Sequence, residues 1–216
     1  MLRVPRLFLL LASVATLYLV VRGVLAWFAE RRRREIFPAR DAAALLNPLR
    51  QWLMPADGTL DRFGVSSGQT VLEVGPGPGY YTLKASRRIG DGGRILCLDI
   101  QPEMLGALRS RLGRTDARNA DLVVADAARL PLAAGCVDIA FLVTVLGEVP
   151  EPEAALAELW RVLKPGGMLG FAETMRDPDY VLLVRMRRMC RAQGFVEAAY
   201  YRDFLGYTIT FRAPSD

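Results

Sequence analysis

The sequence predicts an α/β protein, a doubly wound and mostly parallel sheet preceded by one N-terminal transmembrane helix. Three observations predict it. After Gln69, short β-branched apolar runs alternate with helix-period segments, the pattern of strands connected through helices that cover both faces of a parallel sheet. The first such run, Thr70 to Val74, opens directly into a turn of three glycines and two prolines, "GPGPG". Ahead of all this, the stretch from Leu7 to Ala29 carries a single charge, Arg22, and about 20 mostly apolar residues suffice to span a bilayer as a helix.

The apolar run ends in Trp27 and Phe28 and meets Arg31 to Arg34, interfacial aromatics followed by a positive flank. A secretory signal peptide would carry a shorter apolar region and a small-residue cleavage site. A retained single-pass membrane anchor is therefore expected, with the rest of the chain on the cytoplasmic side. Arg22 is accommodated by a snorkelling stem, or by a segment that lies in the interface. Residues 1–40 read as the anchor with its basic flank, 41–68 as a linker with one or two short helices, and 69–216 as the globular domain. Through Arg40 there are eight arginines and two glutamates, which leaves 20 basic and 21 acidic residues for the remainder. The positive balance belongs to the anchor, and the near-neutral globular part lacks the broad basic footprint that binding a nucleic-acid backbone requires. Cys97, Cys136 and Cys190 are odd in number and far apart, so they read as reduced and structural, and no metal site is expected.

In the linker, helix-like apolar spacing is broken at Pro48 and Pro55, where the ring interrupts the backbone ladder. Two readings stand: helices packed on the domain, or a lid over a pocket. "TVLEV" is then the first strand, "YYTLKASRRI" a helix, "RILCLDI" the second strand, and "PEMLGALRSRL" a helix opened by proline. "DLVVAD" and "CVDIAFLVTV" are the third and fourth strands. In "EPEAALAELWRVL", Ala154, Leu156, Leu159, Trp160 and Leu163 fall at helical spacing, and "KPGG" supplies the stop. "MLGFAE" is a fifth strand, "DYVLLVRMRRMCRAQ" a helix, and "FVEAAYYRDFLGYTITFRA" a closing hairpin.

Ligands of such sheets bind outside the C-terminal ends of the strands, where the glycine turn lies. Gly75, Gly77 and Gly79 let backbone approach a ligand closely, while Pro76 and Pro78 stiffen the loop. A helix starting near Tyr80 would aim its positive end at a carboxylate or a phosphate. Asp99 ends the second strand, 20 residues after Gly79, where a carboxylate can accept both hydroxyls of a ribose. The dinucleotide fingerprint G-x-G-x-x-G is not met, because Tyr80 stands where its third glycine belongs.

The stretches "VLEVGPGPGYYT", "CLDIQPEML", "VVADAARLPLAAGCVDIAFLVTVLGEV" and "ELWRVLKPGG", in that order, resemble the motifs of class I S-adenosylmethionine-dependent methyltransferases, particularly the small-molecule branch that includes the quinone C-methyltransferases. The resemblance runs from Gly68 to Glu173. It implies a Rossmann-like sheet of seven strands, the last hairpin supplying an antiparallel one, with S-adenosylmethionine as cofactor. It also implies roles. Glu73 supports the methionyl amino group, and the loop from Gly75 through Pro76 and Gly77 to Gly79 takes the methionine portion. Asp99 holds the ribose, with Ile100 and Met104 beside the adenine. Asp126 accepts from the adenine amino group, Ala127 donates its backbone N–H to the ring, and Thr144 lies under the sulfonium.

The acceptor side is less defined. Methyl transfer is an in-line displacement in which positioning and exclusion of water do most of the work, and a base is needed only where the acceptor loses a proton. The chain has no histidine. Glu148 and Glu173 are the candidate bases, with a helix-capping role preferred for Glu148. Tyr80, Tyr81, Tyr200 and Tyr201 are either pocket or packing residues, and Arg185, Arg187, Arg188 and Arg191 read as a solvated helix face. The expected acceptor is a small, lipophilic molecule met at the membrane surface. The alternatives are a non-catalytic methyltransferase-like interaction module and an enzyme acting on RNA or protein.

Overall fold

The computed structural model of the chain describes residues 16–19, 21, 22 and 36–215. The chain divides into two units, Met1–Glu35 and Ile36–Asp216. In the first, residues 16–19, 21 and 22 are helical and exposed; the rest of the anticipated span from Leu7 to Ala29 lies outside the described residues. Among the described residues no helix is long and apolar enough to cross a membrane.

The second unit opens with a strap of three short helices: a 3-10 helix, Ala39–Leu46, then α1, Pro48–Leu53, and α2, Ala56–Phe63. The prolines punctuate it as expected, Pro48 taking the first turn of α1 and Pro55 flanking α2. Alternation follows through β1 Thr70–Val74, α3 Tyr80–Ile89, β2 Arg94–Asp99, α4 Pro102–Leu112, β3 Ala120–Val124 and β4 Val137–Val143. The chain continues through α5 Pro152–Val162, β5 Leu163–Thr174, α6 Leu183–Ala192, β6 Val196–Asp203 and β7 Gly206–Arg212. One seven-stranded sheet results, ordered β3-β2-β1-β4-β5-β7-β6. Its first five strands run parallel, and β7 joins β5 antiparallel with β6 at the edge. The expected Rossmann-like, mostly parallel sheet is the one observed. One boundary differs: the "KPGG" segment ends α5 but is already part of β5, with Leu163 pairing Val137 before the register shifts and resumes at Met168.

The period-two alternation of side chains separates two cores. Leu72 and Val74 of β1, with Ala140 and Leu142 of β4, face one cluster beneath α5 and α6, which includes Leu156, Leu159 and Met186. Val71, Ile139 and Phe141 face the other, beneath α2, α3 and α4. There Phe63 is fully buried, stacks on Phe141 at 5.4 Å and fits over Gly170, where a Cβ would stand 2.3 Å from its ring. Truncating such an aromatic costs about 3–5 kcal/mol, so α2 is docked firmly and carries the strap to the sheet. The exits of β1 and β4, at the reversal of strand order, are where a crevice must open.

Candidate active site

A cavity of about 430 Å³ occupies that crevice, within the range of about 300–1,000 Å³ usual for small-molecule sites. Of the eleven residues anticipated from sequence, ten line it: Glu73, Gly75, Pro76 and Gly77 from the exit of β1; Asp99, Ile100 and Met104 from β2 and α4; Asp126 and Ala127 after β3; and Thr144 after β4. Gly79 does not. It precedes α3 at φ +86°, and a Cβ there would meet Leu108 Cδ1 at 2.3 Å. Its smallness therefore serves the packing of α3 on α4. Gly75 is constrained from the other side: at φ +69° its Cβ would fall 2.4 Å from Val145 Cγ2, so the loops leaving β1 and β4 touch through a missing side chain.

Glu73 is buried and accepts from the Thr82 hydroxyl at 2.6 Å. Burial pushes its carboxyl up to about 8, opposed by that hydrogen bond and reinforced by Asp99. The buried Asp99 carboxyl accepts the Gln101 backbone N–H at 2.9 Å and is likewise raised by burial, with the N–H groups of Gln101 and Ile100 opposing. Asp126 is exposed on the rim and accepts from Ala128 N–H at 2.8 Å; it organises its own loop as well as lining the cavity. Thr144 is the only non-glycine residue at positive φ among the described residues, at 53°. A β-branched residue rarely adopts that conformation, and strain of this kind gathers at functional sites.

The strap forms the opposite side of the cavity, while α2 packs on the sheet as the packing reading of the linker expects. Ile36, Phe37, Leu45, Leu49, Leu53 and Met54 make that wall apolar. It is fastened by polar contacts far apart in sequence. Phe37 N–H donates to Glu148 Oε2 at 2.9 Å, while Gln101 donates to the Phe37 carbonyl at 2.8 Å and accepts from Ala39 N–H at 3.3 Å. Arg50 Nη2 donates to Thr144 Oγ1 at 3.0 Å. Tyr80 accepts from Ala56 N–H and donates to the Gln51 carbonyl, and Tyr81 donates to the Met54 carbonyl. Both tyrosines line the cavity; Tyr200 and Tyr201 lie on the edge strand β6. Arg50, Phe37 and Gln101 escaped the sequence reading. Only Gln101 had a local signal, its place two residues beyond Asp99.

The capping role expected of Glu148 is not observed. No side chain caps α5, and the Glu148 carboxyl instead faces the cavity and holds Phe37. Burial, aided by Asp177, Asp179 and Asp99, pushes it up to about 7, against the Phe37 N–H. Glu173 is buried at the end of β5, off the cavity wall, with Oε1 unpartnered among the described residues and its pKa driven well up by burial. Cys97 and Cys190 are buried and Cys136 sits half-buried just before β4, rather than within it; all three are free. Arg187 pairs with Glu197 on β6, and Arg191 with the same carboxylate. Among the described residues no group of His, Cys, Asp or Glu could hold a metal ion.

Residues 72–171 match the family model described as a methyltransferase domain. The match takes in a little under half of the chain. The matched span runs from within β1 into β5 and takes in every cavity wall except the strap, Thr174 at the end of β5 and the turn that follows it. Over 124 residues the chain is 40% identical to the ubiquinone/menaquinone biosynthesis C-methyltransferase UbiE of Klebsiella pneumoniae, covering 56% of this chain and 49% of that protein. It is 28% identical over 116 residues to an arsenite methyltransferase of Halobacterium salinarum, covering 54% and 30%. The chain thus spans about half the length of its UbiE relatives, and less of the arsenite enzyme. Among solved structures, a SAM-dependent methyltransferase from Aquifex aeolicus matches with a TM-score of 0.78 and 22% identity, over 82% of this chain and 100% of that one. The [4+2]-cyclase SpnF matches with a TM-score of 0.67 and 20% identity, over 74% and 80%. At such identities the structures establish the fold alone, and a cyclase among them is a reminder that one fold hosts several chemistries.

Proposed function

We propose that this chain is an S-adenosylmethionine-dependent methyltransferase acting on a small, lipophilic acceptor and held at a membrane by its N-terminal segment. The observation that carries the reading is the coincidence of the methyltransferase-domain match with a cavity lined by the glycine loop, Glu73 and Asp99. The cofactor is S-adenosylmethionine, which when bound supplies a methyl group on a sulfonium. The donor set fits it. Glu73, buried at the cavity floor with a raised carboxyl, suits the methionyl ammonium, and the loop from Gly75 through Pro76 and Gly77 receives the rest of the methionine portion, with Gly79 setting the loop's exit into α3. Asp99 binds the ribose hydroxyls, Ile100 and Met104 flank the adenine, and Asp126 with the Ala127 N–H reads its edge. Thr144 borders the reacting centre.

The strap excludes water and holds the acceptor in line, the two contributions on which such a displacement depends most. Where the acceptor must lose a proton, Glu148 is the group on the cavity wall with a pKa near neutrality. The apolar strap and the identity with quinone C-methyltransferases support a lipophilic acceptor. No cysteine lines the cavity, which argues against chemistry on arsenic. In this reading the anchor, expected over residues 1–40, gives way to the strap by Ile36, the strap runs on to residue 68, and 69–216 is the domain on the cytoplasmic side. The uninterrupted run from Leu7 to Val21 and the Arg31–Arg34 flank support it.

The test incubates the full-length protein with methyl-labelled S-adenosylmethionine, host membranes and cytosol. Label is expected in the organic extract and absent with Asp99→Ala, which should also weaken S-adenosylhomocysteine binding by about 100-fold through loss of two hydrogen bonds to a charged acceptor. Label in RNA or protein, or cofactor binding without transfer to any fraction, would sink the small-acceptor reading.

A further inference from the structure

Among the described residues two cations line the cavity, Arg50 and Arg176. Arg176 is exposed in the turn after β5. Arg50 is half-buried on α1. Its guanidinium donates to the Thr144 hydroxyl at 3.0 Å and to the Leu45 carbonyl at 3.4 Å. Both are neutral acceptors, and among the described residues Arg50 forms no ion pair with a carboxylate. A guanidinium carries five N–H donors, and a partly buried charge without a counter-ion is costly to hold. The carboxylates of the cavity are engaged elsewhere: Glu73 with Thr82, Asp99 with Gln101, Asp126 with Ala128, Glu148 with Phe37 and Asp177 with the Asp179 N–H.

The position of this cation narrows the anion it awaits. Thr144 leaves β4 beside Val145, the residue that fills the space of a Cβ on Gly75. Leu45, whose carbonyl Arg50 also holds, has its Cδ1 3.0 Å from where a Cβ on Gly77 would be. Arg50 therefore sits over the glycine loop, whereas the contacts with Glu148 and Gln101 fasten the other end of the strap. The Tyr81 hydroxyl is within electrostatic reach of both Arg50 and Glu73. An acid on the floor and a cation on the strap, not paired with each other, leave a site that a zwitterion completes, ammonium toward the acid and carboxylate toward the guanidinium.

We propose that Arg50 binds the α-carboxylate of the cofactor's methionine portion, and that this contact fastens the strap over the loaded site. The proposal rests on the cofactor reading above and goes beyond it, because it gives the segment ahead of the methyltransferase domain a direct part in holding the cofactor. An anionic acceptor is the competing owner of the same guanidinium. Two ligands separate them: S-adenosylhomocysteine, which carries the amino-acid tail, and methylthioadenosine, which keeps the nucleoside and thioether without it.

The measurement is calorimetric titration of the full chain with each ligand, in the wild type, Arg50→Gln and Arg50→Lys. Arg50→Gln should weaken S-adenosylhomocysteine by about 10- to 100-fold, the range for losing a charged hydrogen-bond partner, and leave methylthioadenosine within about twofold. Arg50→Lys should recover part of the loss. Hydrogen exchange over residues 36–54, compared at equal occupancy, should slow with S-adenosylhomocysteine in the wild type, but not with methylthioadenosine and not in Arg50→Gln. Retained methylthioadenosine binding shows that the variant is folded. Equal loss for both ligands would reduce Arg50 to a structural role, and unchanged S-adenosylhomocysteine affinity would hand it to the acceptor; either overturns the proposal alone. If the wild type bound neither ligand, the cofactor reading would fall and the proposal with it.

Discussion

The wall of the cavity formed by the exits of β1 and β2 takes its groups from two short stretches, Glu73 to Gly77 and Asp99 to Met104, each running from the end of a buried strand into the turn that follows, the second on into α4. The wall formed by the strap is held by bonds between residues 111, 62 and 94 positions apart: Phe37 with Glu148, Ala39 with Gln101, Arg50 with Thr144. In the first wall, position follows from where the strand stops. In the second, it follows from closure of long loops, whose entropy has to be met by a few half-buried hydrogen bonds and the docking of Phe63. The contrast predicts that the strand-end wall fails as part of the global fold, while the strap opens locally.

The largest effect is expected where the first wall is tightest. Gly75→Ala puts a Cβ 2.4 Å from Val145 Cγ2 at a φ of +69°, adding overpacking to a left-handed backbone penalty, together roughly 2–4 kcal/mol. Urea unfolding measures it. Val145→Ala in the same chain should return the packing share and leave the backbone share, so the pair should be coupled by about 1 kcal/mol or more. Simple additivity would show that the β1 and β4 loops do not constrain each other, and the contrast between the walls would lose its basis.

Glu73 sharpens the comparison through pH. Its folded-state pKa is about 8 against an ordinary 4.5, so the folded protein holds the proton more tightly than the unfolded chain. That stabilising contribution is fully present below about 4.5 and is lost as pH rises through about 8. Glu73→Gln keeps an acceptor for Thr82 and carries no charge, so at pH 8 the variant should be more stable, by roughly 1–3 kcal/mol. It should also bind S-adenosylhomocysteine about tenfold more weakly, from loss of a charged hydrogen bond. Wild-type affinity should climb with pH up to about 8, since an ammonium selects the ionised acid, and should be flat in the variant. A variant that is less stable at every pH would refute the burial argument.

The same contrast explains what was legible. The succession of strands and helices, the turn at Gly75 and Gly77, and the strand-end position of Asp99 all follow from local pattern: β-branched runs, glycines where φ is positive, a carboxylate where a strand stops. Gly79 shows a reason that local pattern does not carry, because the space denied to its side chain is taken by Leu108 from a different helix. Glu148 was assigned to a cap because α5 begins four residues later, whereas its observed partner, the Phe37 N–H, belongs to a segment 111 residues away. Arg50 offered no signal. An arginine on a six-residue helix reads as solvated until the fold brings Thr144 to it.

The smallest effect tests the strap by itself. Gln101→Ala removes the donor to the Phe37 carbonyl and the acceptor for Ala39 N–H, two half-buried bonds worth together about 1–2 kcal/mol. Because α2 stays docked through Phe63, that cost should appear as local opening. Hydrogen exchange across Ala39–Leu46 should accelerate about 5- to 30-fold, the factor corresponding to 1–2 kcal/mol, while amides of β1 and β4 keep their protection. Arg50 should still hold the α1 end, so α1 amides should change less than those of the 3-10 helix. The opposite gradient would mean that the strap is fastened from Arg50 alone, and that its Phe37 end rides on the domain without being latched to it.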